Sequence, residues 1–317
     1  MNQTHHKSAL LASLALAASL LGWAPAGLAI YIRDDVAASN YDALAARPEY
    51  AAAGWLWQQG QFGDQFCTGT LVAADKVLTA AHCVFSFGSV EAPQNFAFGL
   101  SADLPPSFTN NVSAIAVSSH YDDNNFDNTY YYDLAILTLN NPLAQTPAAV
   151  WSNVIASSPT PFTGVMLGYG DQGTGVQSGL VGAAARLAAM NLIDTGGIMG
   201  LETDFDKSDG STNTFGNPYP IALEGTTCYG DSGGPLYIQG GVVGVLSSGY
   251  NNYADPCLYG DISQWVSIAN PLNLEFLASQ GINVSYVPEP PTLLMFLPGL
   301  LALRLCRNAV RRNRRAQ

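Results

Sequence analysis

Charged side chains are scarce in this chain, where they make up 11% of the residues, and basic ones are the scarcest. Between residues 30 and 287 there are 5 basic residues against 23 acidic ones, and the other basic residues are Lys7 and six arginines beyond residue 303. A body this acidic argues against nucleic acid as a partner. Its simplest consequence is solubility.

The helix formers Glu and Lys are also rare, whereas the chain contains 31 Gly and 18 Pro. Short runs of Val, Ile, Thr, Tyr and Phe recur between these turn residues, a pattern typical of a mostly β protein. It excludes a disordered chain and a coiled coil. The 317 residues suffice for one large domain or two small ones with a sizeable core.

Residues 1–29 have the features of a secretory signal peptide. A short polar start around Lys7 precedes an apolar run over residues 9–21, and small residues end the segment at Ala29. We predict cleavage after Ala29, with cleavage after Ala26 as the alternative. An uncleaved membrane anchor is the other interpretation, but the run is short for a span. Export permits disulfides.

Residues 285–317 form a separate unit at the other end of the chain. Prolines 288, 290 and 291 make a stiff linker that cannot join a sheet. The apolar run over residues 292–305 is shorter than an ordinary membrane span, and the arginines that follow fit the cytoplasmic side of a membrane. An unstructured basic tail is the alternative.

A serine lies among glycines in the stretch Gly230-Asp231-Ser232-Gly233-Gly234-Pro235. Such a turn can present a nucleophilic hydroxyl beside free backbone N–H groups, the two requirements of acyl transfer. The stretch also fits the nucleophile elbow of α/β-hydrolases, in which the catalytic histidine follows the serine. No histidine follows Ser232, and only His82 and His120 precede it within the body, so that interpretation is excluded.

Two further motifs supply a base and an acid. The first is Leu78-Thr79-Ala80-Ala81-His82-Cys83, a strand that runs into a tight turn. The second is Asp133-Leu134-Ala135-Ile136-Leu137, an aspartate at the start of a strand. Taken alone, each of these polar residues also has a purely structural explanation: His82 as a histidine of the core, and Asp133 as a cap at the end of a strand. The acidic loop over residues 120–132 lacks the ligand spacing of an EF-hand, so no metal is predicted.

The three motifs, in the order His82, Asp133, Ser232, resemble those of chymotrypsin-like (trypsin-fold) serine proteases over about residues 50–280. Gly168-Tyr169-Gly170 stands where that family usually has Gly-Trp-Gly. The resemblance implies an all-β domain over residues 30–284, with two packed six-stranded antiparallel β-barrels and a C-terminal helix. Apolar spacing independently predicts that helix over residues 272–279.

The resemblance also implies roles. Ser232 attacks the peptide carbonyl, His82 transfers the proton, and Asp133 orients His82. The N–H groups of Gly230 and Ser232 form the oxyanion hole, and Ser247 supports the aspartate. The substrate is a protein or peptide, and no cofactor is required. A non-catalytic, surface-displayed binding domain on the same fold is the alternative.

Five cysteines are present, of which Cys306 lies in the basic tail, and the other four allow three pairings. The resemblance selects Cys67 with Cys83, and Cys228 with Cys257. It places Thr226 at the base of the primary specificity pocket, with Gly249 and Gly260 in its walls. That predicts an uncharged pocket for a medium or large apolar side chain. A register slip caused by extra residues over 250–256 would bring Asp261 there instead.

In the same family, the acid that corresponds to Asp231 binds a newly freed, apolar N-terminus. Cleavage after Ala29 would expose Ile30, so we expect removal of the signal peptide to create that terminus.

The tail has a resemblance of its own. Val287-Pro288-Glu289-Pro290, the apolar run and the arginines resemble the PEP-CTERM sorting signal of Gram-negative bacteria. That resemblance implies export by way of signal peptidase, transient membrane anchoring, and processing by an exosortase. The protein would then reside in the cell envelope, at the surface or outside the cell. A permanent C-terminal anchor is the alternative.

Overall fold

The computed structural model describes residues 30–60, 63–102, 105, 107–124, 129–155, 161–180, 185–217 and 219–286. The predicted signal peptide and the PEP-CTERM motif with its apolar run and arginines lie outside these residues. Within the described ranges, no helix has the length and apolar character needed to cross a membrane.

The first half of the domain is built around one six-stranded antiparallel sheet, in the order β7-β2-β3-β4-β9-β8. In chain order, the elements up to residue 139 are β1 (Ile30–Ile32), α1 (Ala38–Ala45), β2 (Ala53–Gln58), β3 (Gln65–Ala73), β4 (Lys76–Thr79), β5 (Phe85–Ser86), β6 (Ser89–Val90), β7 (Phe96–Gly99), β8 (Val112–Val117) and β9 (Ala135–Leu139). The side chain of Asn111 bonds to both the N–H and the carbonyl of Phe98, at 2.9 and 2.7 Å, so the edge strands β7 and β8 curl toward each other.

The second half contains a nine-stranded sheet instead of the six strands predicted. In chain order, the elements from residue 149 onward are β10 (Ala149–Trp151), β11 (Phe162–Gly168), β12 (Gln172–Thr174), β13 (Gln177–Leu180), β14 (Leu187–Ile193), β15 (Thr195–Gly196), β16 (Gly200–Asp204), β17 (Gly225–Thr226), β18 (Pro235–Ile238), β19 (Gly241–Asn251), β20 (Asp261–Ser267), α2 (Pro271–Ser279) and β21 (Val284–Ser285), of which β12, β13 and β17 form a separate sheet with β1. The main order is β14-β11-β18-β19-β20-β16-β15.

The extra strands of this sheet are short additions at its edges. Strand β10 pairs in parallel with the start of β19 and with β21, and β15 forms a hairpin with β16. The N–H of Asp194 donates to the Glu202 carbonyl at 3.0 Å, which brings β14 and β16 together and closes the curl. The domain is thus all-β, with two curled half-barrels and few helices, as the family resemblance implies.

Short 3₁₀ turns supplement the strands in the described ranges, at Pro48–Tyr50, Ala81–Cys83, Pro93–Asn95 and Thr129–Tyr131. Helix α2 forms as the apolar spacing predicts. Asn270 caps it by accepting the N–H of Leu272 at 3.0 Å, and Leu277 is fully buried against the shared core of the two barrels.

The first strand of the described chain is inserted into the second half. Strand β1 pairs in parallel with β12 and antiparallel with β17, and Ile30 and Ile32 are buried. Because β17 leads directly to Cys228 and the serine turn, the first described residues of the chain pack beside the segment that enters the serine turn.

Candidate active site

Ser232 lies on a turn that leads into β18 and is held by both barrels. The N–H of Gly233 donates to the Leu246 carbonyl at 2.8 Å in the second barrel, and the N–H of Thr68 in the first donates to the Ser232 carbonyl at 2.8 Å. Gly233 has φ of 79°, and a Cβ there would collide with the Thr79 hydroxyl. Glycine is therefore required at this point of the turn.

The N–H groups beside the serine remain available. In the described part of the chain, neither Gly230 nor Ser232 donates its backbone N–H to a protein acceptor. Gly230 has φ of 91°, a left-handed conformation that suits glycine. Two unused donors next to a hydroxyl are the arrangement that stabilises a developing oxyanion.

The antiparallel pairing of β4 and β9 brings His82 and Asp133 together. Thr79 at the end of β4 lies opposite Ala135 at the start of β9. His82 comes three residues after the first and Asp133 two residues before the second, so both extend from the same edge of the sheet.

Both carboxylate oxygens of Asp133 contact His82. Oδ1 accepts the backbone N–H of His82 at 2.8 Å, and Oδ2 lies 2.7 Å from the ring Nδ1. Asp133 is 1% exposed, whereas the His82 side chain is 34% exposed. Because an ionised carboxylate only accepts hydrogen bonds, the contact places a proton on Nδ1 and leaves Nε2 free to accept one.

The electrostatic surroundings of His82 favour its role as a general base. Burial by itself lowers the pKa of His82, but the charge of Asp133 and the hydrogen bond to it outweigh burial and raise the pKa above its usual value. Ser247 on β19 donates from Oγ to Asp133 Oδ2 at 2.6 Å, which adds a second-barrel contact to the same carboxylate.

His82 and Ser232 line one cavity of about 160 Å³ together with Leu56, Phe66 and the Cys67–Cys83 pair. The cavity lies where the two barrels meet, since these residues come from β2, β3, the turn after β4 and the turn before β18. The base and the nucleophile candidate therefore face the same space.

The structure contains both disulfides that the family resemblance implies, Cys67–Cys83 and Cys228–Cys257. The sulfurs of the first pair lie near a ring nitrogen of His82, in a cluster compact enough for a metal ion. Because those sulfurs are bonded to each other, they are not thiolate ligands.

A second cavity, of about 270 Å³, opens beside Ser232 between the Cys228–Cys257 bridge and the strand Ser247 to Gly249. Gly249 lines it. Thr226 and Gly260 do not line it.

The structure differs from the sequence prediction at the base of this cavity. Thr226 is 1% exposed and donates its hydroxyl to Asp261, and Gly260 packs against the ring of Tyr253. Asp261 takes the place in the wall, so the cavity contains an acid. Positive φ values at Cys257 and Gly260 curl the chain after the extra residues 250–256, a register that spacing alone could not determine.

Asp231 is fully buried next to the serine. Its Oδ1 accepts the N–H of Gly170 and its Oδ2 the N–H of Cys228, both at 2.8 Å. Burial raises the pKa of Asp231 to about 7, although those hydrogen bonds act in the opposite direction. The backbone of Ile30 makes a smaller contribution that also lowers the pKa of Asp231.

The cleft between two curled barrels, with a coupled His–Asp pair and a serine turn, defines the chymotrypsin-like class of proteins. A family model described as Trypsin matches residues 48–267, more than half of the chain. The chain belongs to the trypsin family, and it is a serine endopeptidase.

Similar proteins fit that assignment. A trypsin of Saccharopolyspora erythraea is 29% identical over 198 residues, which cover 59% of this chain and 77% of that protein. Brachyurin of Leptuca pugilator is 28% identical over 207 residues, 62% of this chain and 81% of that protein.

Solved structures share the fold. A scabies mite inactivated protease paralogue has a TM-score of 0.52 at 17% identity, and the matched region covers 74% of this chain and 96% of that protein's chain. A Glu endopeptidase has a TM-score of 0.50 at 20% identity, and the matched region covers 75% of this chain and 95% of that protein's chain. Identities this low establish similarity of fold alone.

Proposed function

We propose that this protein is an exported endopeptidase that cleaves protein or peptide substrates through an acyl-enzyme on Ser232. The observation that carries the proposal is the two-oxygen contact of Asp133 with His82, in a cleft that His82 shares with Ser232. A histidine with its Nδ1 proton fixed by a buried carboxylate is suited to take a proton at Nε2.

The reaction then follows in balanced steps. Ser232 Oγ bonds to the substrate carbonyl carbon while its proton passes to His82 Nε2, and the N–H groups of Gly230 and Ser232 stabilise the oxyanion. The carbon–nitrogen bond breaks as His82 returns the proton to the leaving amine. Water then gives a proton to His82 Nε2 as its oxygen attacks the ester carbonyl, and the ester bond breaks as His82 passes that proton to Ser232 Oγ, which releases the acid. Loss of one oxyanion donor costs about 3 kcal/mol in the barrier.

The start of the mature chain is the second part of the proposal. Ile30 has φ of 71°, a conformation that a β-branched residue rarely adopts. This torsion exists only while Ile30 remains bonded to Ala29, so cleavage after Ala29 removes a strain of about 1–3 kcal/mol. The new ammonium would lie against the buried carboxylate of Asp231, which then gains a counter-charge.

Export and sorting complete the proposal. The signal peptide over residues 1–29 and the sorting segment over residues 285–317 direct the protein to the envelope or exterior of a Gram-negative cell, by way of signal peptidase and an exosortase. The two disulfides support export, since such bonds persist in oxidising compartments. Cell fractionation of full-length protein and of a variant ending at residue 286 tests it: the tail should confer membrane association, and equal distribution would contradict the anchor.

A non-catalytic binding domain would have the same fold, so a chemical test is needed. A fluorophosphonate probe should label the wild-type protein, and Ser232→Ala should abolish labelling. Ser248→Ala is the matched control, because Ser248 lies on the neighbouring cavity wall and bonds to Gln264. Absence of labelling in correctly folded wild-type protein would favour the binding domain.

A further inference from the structure

The Cys67–Cys83 disulfide lies directly against the ring of His82. Cys83 Sγ is 3.9 Å from His82 Nε2, and the two sulfurs and a ring nitrogen of His82 all lie within 4.8 Å of one another. No other group of three His, Cys, Asp or Glu side chains in the described ranges is this compact. Two cysteine sulfurs and one imidazole are the donor set of a zinc site with three protein ligands.

The spacing of these atoms fits tetrahedral zinc once the sulfur–sulfur bond is broken. With a Zn–S bond of about 2.3 Å and a Zn–N bond of about 2.0 Å, a sulfur and a nitrogen ligand lie about 3.5 Å apart and two sulfurs about 3.8 Å apart. The 3.9 Å between Cys83 Sγ and His82 Nε2 is close to the first of these distances. In the reduced protein, rotation about the Cα–Cβ bonds of the cysteines lets the sulfurs separate to the second.

Backbone contacts hold the three ligands in place independently of the disulfide. Cys67 lies in β3, paired with Leu56 of β2. Cys83 and His82 belong to the 3₁₀ turn that follows β4, and the N–H of His82 donates to Asp133 Oδ1 at 2.8 Å. Reduction therefore breaks the sulfur–sulfur bond but leaves the elements that position the sulfurs, as a site built on rigid elements requires.

Asp133 prepares His82 to bind a metal. Its Oδ2 lies 2.7 Å from His82 Nδ1, which keeps a proton on that atom and leaves the lone pair on Nε2. Histidine ligands of zinc nearly always donate their other N–H to an acceptor of this kind. The cavity of about 160 Å³ that these residues share with Ser232 has room for a water molecule as the fourth ligand.

The disulfide is accessible from the same cavity. Both cysteines line it, and Cys67 is partly exposed whereas Cys83 is buried. Thiol–disulfide exchange needs such access, because the attacking thiolate must reach one of the sulfurs. Cys67 is therefore the sulfur that a reductant reaches first.

We propose that reduction converts the Cys67–Cys83 disulfide and His82 into a zinc site that switches the protein off. A dithiol reductant supplies two electrons and two protons, which break the sulfur–sulfur bond and give two thiols, and the reductant becomes a disulfide. Zn²⁺ then displaces the two thiol protons and binds both thiolates and His82 Nε2. In the oxidised protein the sulfurs are bonded to each other, so the site does not form.

Zinc at this position would occupy the atom of His82 that takes the proton of Ser232. The loss of hydrolysis rests on the proposed function, whereas the binding of the metal does not. The two claims can therefore be tested separately.

Cobalt absorption tests the binding of the metal. The mature protein is reduced with a phosphine, which competes weakly for metals and is oxidised to the phosphine oxide with oxygen from water, and Co²⁺ is added under argon. We expect the intense thiolate-to-cobalt absorption and the visible bands of a tetrahedral site at one Co²⁺ per protein, and displacement of cobalt by Zn²⁺. The oxidised protein should show neither absorption.

Paired variants locate the site. Reduced Cys67→Ala/Cys83→Ala should lose the cobalt absorption, whereas Cys228→Ala/Cys257→Ala, which lacks the other disulfide, should keep it. Asp133→Asn should lower the zinc affinity of the reduced protein by about 10- to 100-fold. Circular dichroism follows the fold throughout. Unfolding of the wild type on reduction, or cobalt absorption that persists in Cys67→Ala/Cys83→Ala, would overturn the inference.

Hydrolysis of a fluorescently labelled protein provides the second readout. Zn²⁺ should lower the initial rate of the reduced wild type by about 100-fold or more, because the general base is occupied, and EDTA should restore the rate. The oxidised wild type and reduced Cys67→Ala/Cys83→Ala should have the same rate with and without Zn²⁺. Equal inhibition of oxidised and reduced protein would contradict the switch. Cobalt binding by a reduced protein that hydrolyses nothing, even when oxidised and free of metal, would refute the proposed function and leave the metal site standing.

Discussion

Ser247 Oγ donates a hydrogen bond of 2.6 Å to Asp133 Oδ2, and this bond crosses from the second barrel to the first. The same oxygen lies 2.7 Å from His82 Nδ1. The carboxylate that orients the base is therefore held by both barrels, so its position depends on how they pack. A site built in this way is disturbed by a change in either half.

Ser247→Ala should lower kcat by about 3- to 10-fold, because one hydrogen bond to a buried carboxylate is lost while His82 keeps its two contacts. Asp133 then has one donor fewer, which strengthens its interaction with protonated His82 and raises the pKa of that ring. The pH dependence of kcat/KM measures both effects. Ser113→Ala is the control, because it removes an exposed serine hydroxyl that bonds to the Thr138 carbonyl and lines neither cavity. Unchanged kcat and pKa in Ser247→Ala would contradict the assignment.

The length of the mature N-terminus should control activity. Three chains that begin at Ala29, Ile30 or Tyr31 can be compared by kcat/KM and by the rate of fluorophosphonate labelling. We expect the chain that begins at Ile30 to be the most active, by about tenfold or more, because only its ammonium reaches the buried Asp231. Equal activity of all three would show that Asp231 has no such role.

Each disulfide should contribute about 2–4 kcal/mol to the free energy of unfolding, measured by urea denaturation after paired Cys→Ala substitution. The bridge between Cys228 and Cys257 spans 29 residues and that between Cys67 and Cys83 spans 16, so loss of the longer loop should cost slightly more. Loss of the longer bridge should also raise KM, since it forms a cavity wall. Unchanged stability in both variants would contradict these expectations.

Buried acids in the second barrel should make the protein less stable as the pH rises. Burial, followed by the charge of Asp204, raises the pKa of both Asp194 and Asp206 to about 8, and burial raises the pKa of Glu224 to about 7. Asp194 Oδ2 and Asp206 Oδ1 have no hydrogen-bond partner in the described structure. Their ionisation would leave several negative charges close together.

The direction in which the free energy of unfolding changes with pH follows from proton binding. The folded state holds these protons at a higher pH than the unfolded chain, so their contribution is complete below about pH 4 and is lost by about pH 8. Urea denaturation across this range should show a decreasing free energy of unfolding, with a smaller slope in Asp206→Asn. Asp209→Asn is the control, because Asp209 is exposed and pairs with Lys207. A free energy that is constant or increases with pH would contradict the account.

Local motifs were sufficient to predict the elements that carry His82, Asp133 and Ser232, because each motif joins a turn to a strand whose conformation depends on neighbouring residues. Helix α2 was predictable for the same reason, from its apolar spacing. The nine-stranded sheet was not, since β10 and β21 are only a few residues long and form through pairing with distant strands. Asp261 was named in the sequence analysis only as the alternative wall residue, because its position depends on the register after Cys257.

The buried acids were equally invisible in the sequence. Asp206 follows Asp204 by two residues, but Asp194 and Glu224 come from other segments and approach Asp204 only in the folded second barrel. In the sequence, Asp194, Asp206 and Glu224 cannot be distinguished from acidic residues on an exposed surface.

The central claim is a covalent acyl intermediate on Ser232, and intact-mass spectrometry tests it most directly. Wild-type protein mixed with a 4-nitrophenyl ester and quenched in acid should gain the mass of one acyl group, located by peptide mapping to Ser232. Ser232→Ala should gain none and should lose hydrolysis. An acyl group on another residue, or continued hydrolysis by Ser232→Ala, would contradict the account.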